Sequence, residues 1–149
     1  METNTDLKDK VILITGAGSG IGRGAAAVLA RCGARLGLLS RDRGELSSLS
    51  DEVHDAGGEA VILNADISVE DEVKDAVEYL TYKWNNIYGL FTNARINGVW
   101  APIEELKTED FMKTVNVNFL GTFMTVKYAF PYMKKSGRSI GITSSRNGT

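Results

Sequence analysis

Eight residues, Thr15-Gly16-Ala17-Gly18-Ser19-Gly20-Ile21-Gly22, restrict this chain more than any others. An apolar run, Val11-Ile12-Leu13-Ile14, leads into them, and a helix-patterned segment, Ile21 to Cys32, leads out. A short continuous apolar run suits a strand buried on both faces. A helix entered straight from a glycine turn begins with backbone N–H groups that have no helical partner, at the positive end of its dipole. Glycines remove the Cβ atoms that would keep an anion away from those groups. Strand, glycine turn and helix in this order make a phosphate cradle. The spacing is T-G-x-x-x-G-x-G. No glycine of the stretch has partners at i+2 and i+5, so G-x-G-x-x-G is excluded. Ile21 and Arg23 break the Gly-Lys-Ser/Thr pattern of a Walker loop.

The pattern then repeats as strand and helix. Val11–Thr15 is expected as the first strand. Ile21, Ala25, Val28, Leu29 and Cys32 recur as one helical face, with Gly33 past its end. Leu36–Ser40 reads as a second strand, and Leu46, Leu49 and Val53 mark a second helix ended by Gly57-Gly58. Ala60–Asn64 is a third strand. Ser68 is expected to cap a third helix, whose stripe is Val73, Ala76, Val77, Leu80 and Trp84. Ile87–Thr92 is a fourth strand. Thr108, Glu109 and Asp110 open a long helical segment to about Lys135, interrupted at Gly121 and kinked at Pro131. Ser139–Thr143 is a fifth strand. Alternation of this kind builds right-handed βαβ units. The expectation is an α/β fold: one doubly wound parallel sheet of Rossmann type over residues 1–149, strand order 3-2-1-4-5. Its ligand would lie at the carboxyl ends of the strands, where strands one and four diverge.

Charge and composition narrow the function. There are 19 acidic and 17 basic residues, a formal net charge of −2, so no basic field for nucleic acid exists. No stretch approaches the roughly 18 consecutive apolar residues of a membrane span. The polar first ten residues do not read as a signal peptide. Cys32 is the only cysteine and His54 the only histidine, which leaves no disulfide and no zinc pattern. The expected setting is cytoplasmic, with no metal.

Residues at the strand ends carry candidate chemistry. The second strand ends in Ser40-Arg41-Asp42. An acid near this point accepts from a ribose 2′-hydroxyl, whereas a guanidinium binds a 2′-phosphate. Ser40 and Arg41 therefore favour NADP. Asp42 remains able to accept from a 2′-hydroxyl, which keeps NAD open, and Arg41 also suits a solvated strand end. Asp66 can accept from an adenine amino group and Ile67 can cover the ring; Asp66 equally suits the start of a helix beside Ser68. Asn93, followed by Ala94, has both donor and acceptor sites with which to hold strand ends together.

Thr15 to Gly22, Asp66, Asn93-Ala94, Asn116-Val117-Asn118-Phe119-Leu120-Gly121 and Gly137 to Gly148 resemble, in order and spacing, the motifs of the short-chain dehydrogenase/reductase family. The likeness extends from Lys8 onward and is greatest to the classical type; Ser19 with Gly22 fits that type better than the G-x-x-G-x-x-G of the extended branch, which acts on sugar nucleotides. The resemblance implies an NAD(P)-dependent oxidoreductase that moves a hydride between nicotinamide and a carbonyl/alcohol substrate. It implies that Gly16, Ser19, Gly20, Ile21 and Gly22 meet the diphosphate, that Asn118 holds a water of the proton relay, and that Ser145 hydrogen-bonds the substrate oxygen. It implies self-association through the long helix, where Phe119, Phe123, Val126, Phe130 and Tyr132 offer more apolar surface than one helix face can bury.

Two departures stand out. The family has Asn-Asn-Ala-Gly after the fourth strand; here Thr92 and Arg95 replace the first and last residues. The family's Tyr-x-x-x-Lys, the proton donor and its partner, comes about a dozen residues after the serine, beyond Thr149. The five tyrosines of the chain all precede Ser145. The sequence thus reads as the dinucleotide-binding portion of such an enzyme, truncated before its catalytic acid. The alternative is an inactive dinucleotide-binding fragment that acts by binding or assembly alone.

Overall fold

A computed structural model of the chain describes residues 7–134 and 139–144. The elements are β1 (Val11–Thr15), α1 (Gly20–Arg31), β2 (Arg35–Ser40), α2 (Arg43–Asp55), β3 (Glu59–Asn64), α3 (Glu70–Trp84), β4 (Gly89–Thr92), α4 (Thr108–Val115), a π turn (Asn116–Leu120), α5 (Gly121–Met133) and β5 (Ser139–Ile142). The five strands form one sheet in the order β3-β2-β1-β4-β5, the order expected from the sequence. Every pairing is parallel; Leu13 lies opposite Gly37 of β2 and Leu90 of β4.

Alternate residues of the central strand feed two cores. Val11 and Leu13 pack with Val73, Val77 and Leu80 of α3 and with Met124 and Met133 of α5. Ile12 and Ile14 pack with Ala26 of α1 and with Leu46, Leu49 and Val53 of α2. Burial on both faces explains the continuous apolar sequence of β1. Each fully enclosed Leu or Ile contributes about 1.5–3 kcal/mol from burial. β5 is exposed along its whole length and ends the sheet among the described residues.

Four local expectations require correction. The buried face of α1 is Gly22 and Ala26, while Ile21 and Val28 are 60% and 51% exposed and Cys32 is half-buried. The helix lies so near the sheet that a Cβ on Gly22 would overlap the carbonyl oxygen of Gly16. Close approach selects small residues, so the face of contact is not the most apolar one. Second, Val69, not Ser68, is the N-cap of α3. Asp66 captures Ser68: its Oδ1 accepts from Ser68 N–H at 2.8 Å and from Ser68 Oγ–H at 2.7 Å. Glu72 reaches back instead and accepts from Asp66 N–H at 2.7 Å. Third, β4 is shorter than Ile87–Thr92, beginning at Gly89.

Fourth, the long helix is interrupted by a π turn rather than by Gly121 or Pro131. Backbone angles stay in the right-handed helical region through Val115, Asn116, Leu120 and Gly121, and Gly121 N–H donates to Asn116 C=O, five residues back. Gly121 is needed for space, because a Cβ there would sit 2.7 Å from Ile67 Cδ1 and 3.0 Å from Ile67 O. Pro131 lies within α5, which runs on to Met133.

Candidate functional site: a trough along the strand ends

The carboxyl ends of β1 and β4 are tied together by side chains. Thr15 Oγ1 accepts from Asn93 N–H at 3.0 Å and Ala94 N–H at 3.1 Å. Asn93 Nδ2 donates to Gly16 C=O at 3.4 Å, and Asn93 Oδ1 accepts from Thr143 Oγ1–H at 2.9 Å. Asn93 thus uses both ends of its amide to join β1 and the segment after β5. Thr92 donates to Gly141 C=O at 3.3 Å, so the replacement of the family's first Asn still links β4 to β5. Net contributions of about 0.5–1.5 kcal/mol per bond make this a firm floor under the strand ends.

Over that floor lies the glycine turn. Gly16 has φ +66° and a Cβ there would come 2.8 Å from Ala94 Cα. Gly20 has φ +52°, but the space a Cβ would take is open for 4 Å. Here glycine is required by the backbone angle, and its missing side chain leaves a gap beside the start of α1. Ser19 is the N-cap, and its hydroxyl makes no capping bond to the helix.

Three cavities run together across this surface. One of about 250 Å³ lies between the turn and the ends of β2 and β3, bordered by Gly16, Ser19, Ser40, Arg41, Asp66 and Ile67. A second, of about 440 Å³, lies over Gly16, Ser19, Gly20 and Ile21 and against Asn93 and Ala94. A third, of about 700 Å³, is bordered by Thr92, Trp100, Asn118, Phe119, Phe123 and Ser144. Ala94, Arg95 and Ile96 line all three, making one continuous trough. Thr15 and Gly22 stand behind the walls as supports. Ser145 lies outside the described residues, and its neighbour Ser144 is on the wall of the largest cavity.

Charge is concentrated at the small end. Arg41 Nη1 is 3.9 Å from Asp66 Oδ2. Partial burial works to raise the Asp66 pKa, but the Ser68 hydroxyl and N–H, then the charges of Arg41 and Lys113, outweigh it and hold the carboxyl below its ordinary value. Its contribution to stability is therefore present above the ordinary carboxylate range and lost as pH falls through the depressed value. Asp42 is the N-cap of α2, accepting from Glu45 N–H at 3.0 Å. Glu45 itself borders the small cavity, a placement the sequence signals only as Asp-x-x-Glu ahead of Leu46.

At the large end, Asn118 Oδ1 accepts from Ile96 N–H and its Nδ2 donates to Ile96 C=O, both at 2.8 Å. The π turn presents this amide to the β4–α4 segment; such wide turns recur at functional sites. Arg95 has no left-handed backbone angle, so it replaces glycine there without that strain. Upstream, Tyr79 and Lys83 do have the Tyr-x-x-x-Lys spacing. They lie on α3, and neither lines the trough. Among the described residues, no helix is long and apolar enough to cross a membrane.

The trough thus has an open glycine turn at its middle, charged and polar groups at one end and a larger, partly apolar recess at the other. The sequence model of the short chain dehydrogenase family matches residues 10–149. Levodione reductase of Leifsonia aquatica is 33% identical over 146 residues, covering 97% of this chain and 55% of that protein. A 3-ketoacyl-ACP reductase from Sinorhizobium meliloti 1021 superposes with a TM-score of 0.88 at 46% identity, over 91% of this chain and 53% of that one. NAD+-bound xylitol dehydrogenase gives a TM-score of 0.86 at 30% identity, over 91% and 53% of the two chains. The chain belongs to the short-chain dehydrogenase family. It spans about half the length of the relatives it matches.

Proposed function

We propose that this chain is the dinucleotide-binding domain of an NAD(P)-dependent oxidoreductase acting on a carbonyl/alcohol substrate. The observation that carries the reading is the continuous trough from Arg41 and Asp66, over the glycine turn, to Asn118 and Ser144. Backbone N–H groups at the start of α1, with Ser19, Gly20 and Ile21, face the diphosphate, while Gly16 and Gly22 allow the close packing that puts them there. Asp66 and Ile67 meet the adenine; Ser40 and Arg41 meet its ribose. Asn93 and Ala94 support the nicotinamide side. Bound nicotinamide supplies the hydride acceptor or donor. Asn118 and Ser145 hold the water and the substrate oxygen near it. Proton transfer belongs to a Tyr-x-x-x-Lys that these 149 residues do not contain after Thr143. The exposed apolar face of the π turn and α5 favours a second reading: the chain binds a dinucleotide and assembles, without catalysis. Phe119, Phe123 and Phe130, 77%, 58% and 45% exposed, provide an apolar face for a second copy. A cytoplasmic setting suits the chemistry.

NADP(H) is the preferred cofactor in this reading. Arg41 is exposed and only loosely paired to Asp66, so its guanidinium is available to a 2′-phosphate. A charge-assisted contact of about 1.5–3 kcal/mol corresponds to roughly ten- to hundredfold in affinity before screening. Arg41→Ala should erase most of the NADPH advantage in a calorimetric titration and leave NADH affinity almost unchanged. Equal losses for both cofactors would make Arg41 a structural residue, and a wild-type preference for NADH would overturn the cofactor choice.

A further inference from the structure

Arg95 is the one charged side chain on the wall of the largest cavity, and also the one charged side chain on the wall of the cavity over the glycine turn, among the described residues. The rest of the large recess is apolar or neutral, with Trp100, Phe119 and Phe123 beside Asn118 and Thr122. No carboxylate of the described residues pairs with the Arg95 guanidinium; its Nη1 donates instead to the neutral Asn97 Oδ1 at 2.8 Å. That bond steers the group without cancelling its charge and leaves other donors of the planar fork free.

We propose that Arg95 selects the substrate of this site, and that the substrate is a carbonyl compound bearing a carboxylate on an apolar or aromatic body. The proposal rests on the oxidoreductase reading and names its substrate class. Arg95 also borders the small cavity with Asp42, Glu45 and Asp66, but forms an ion pair with none of them. A cation left without an ion-pair partner matches one negative charge, and a guanidinium meets a carboxylate with two parallel hydrogen bonds. The aromatic walls take the apolar body by burial and stacking. The diphosphate of a dinucleotide already has the helix start at Gly20 and Ile21, so the cation at the junction remains for the second ligand.

The test compares two probes of the same shape, benzoylformate and benzoylformamide, titrated at low salt into the 149-residue chain and followed by shifts of its Trp indole N–H signals. The acid should bind about tenfold more tightly than the amide. In Arg95→Gln the two affinities should come within about twofold of each other, with amide binding retained; Arg95→Lys should keep part of the preference. Equal affinities in the wild type would overturn the proposal, as would a preference for the acid that survives Arg95→Gln. Parallel titration with NADPH separates the two ideas: a chain that binds no dinucleotide contradicts the oxidoreductase reading, while the acid–amide comparison still decides the role of Arg95.

Discussion

Gly20→Val is expected to abolish dinucleotide binding, a loss on the order of a hundredfold or more, while the far-UV circular dichroism stays close to wild type. The open space beside Gly20 is where the diphosphate would meet the start of α1. A branched side chain there blocks at least two charge-assisted bonds, each worth roughly tenfold or more. The residue also sits at φ +52°, where a β-branched side chain is strained by about 1–3 kcal/mol. Melting should fall by several degrees, since about 1 kcal/mol moves a domain of this size by about 2–4 °C. The variant stays folded because no protein atom occupies the gap, so the loss of binding exceeds the loss of stability. An unchanged NADPH titration of the folded variant would remove the glycine turn from the cofactor site.

The second large effect concerns turnover. The 149-residue polypeptide is expected to show no measurable NADPH oxidation across a panel of ketones, including the carboxylate-bearing ones. A polypeptide that also carries a Tyr-x-x-x-Lys segment of the family is expected to show it. Hydride transfer to a carbonyl creates an alkoxide that must be protonated, and a positioned general acid is worth about 10²–10⁴-fold. Serine hydroxyls cannot replace it at neutral pH without an activating base. In addition, β5 ends the described sheet with every residue exposed, which leaves an open edge beside the large cavity. In the extended enzyme, Asn118→Ala should lower kcat well beyond any loss of stability. Robust turnover by the 149 residues alone would show that the proton comes from within them.

Strong local signals made most of this fold legible. A fully apolar β1, a glycine turn and three strand–helix repeats point to a doubly wound parallel sheet, and the family resemblance adds the order 3-2-1-4-5, which puts Thr15, Asn93 and Asp66 at the carboxyl ends of the strands. What escaped was decided by contacts between distant residues. The buried face of α1 turned on the overlap that any Cβ at Gly22 would make with Gly16, which hydropathy does not encode. Ser68 was lost as a cap because Asp66 two residues earlier competed for it. The π turn at Asn116–Leu120 keeps ordinary helical angles at its ends and is betrayed in sequence only by Asn118 within an apolar run. Arg95 was visible as an unusual residue, but its place at the junction of three cavities depends on how the β4–α4 segment packs against Asn118.

Direct titration of the 149-residue chain with NADPH and with NADH, by calorimetry on a sample that unfolds cooperatively, bears most directly on the claim that the trough is a dinucleotide site. One saturable site per chain, filled more tightly by NADPH and lost in Gly20→Val, is the result expected. A folded chain that takes up neither dinucleotide would contradict it.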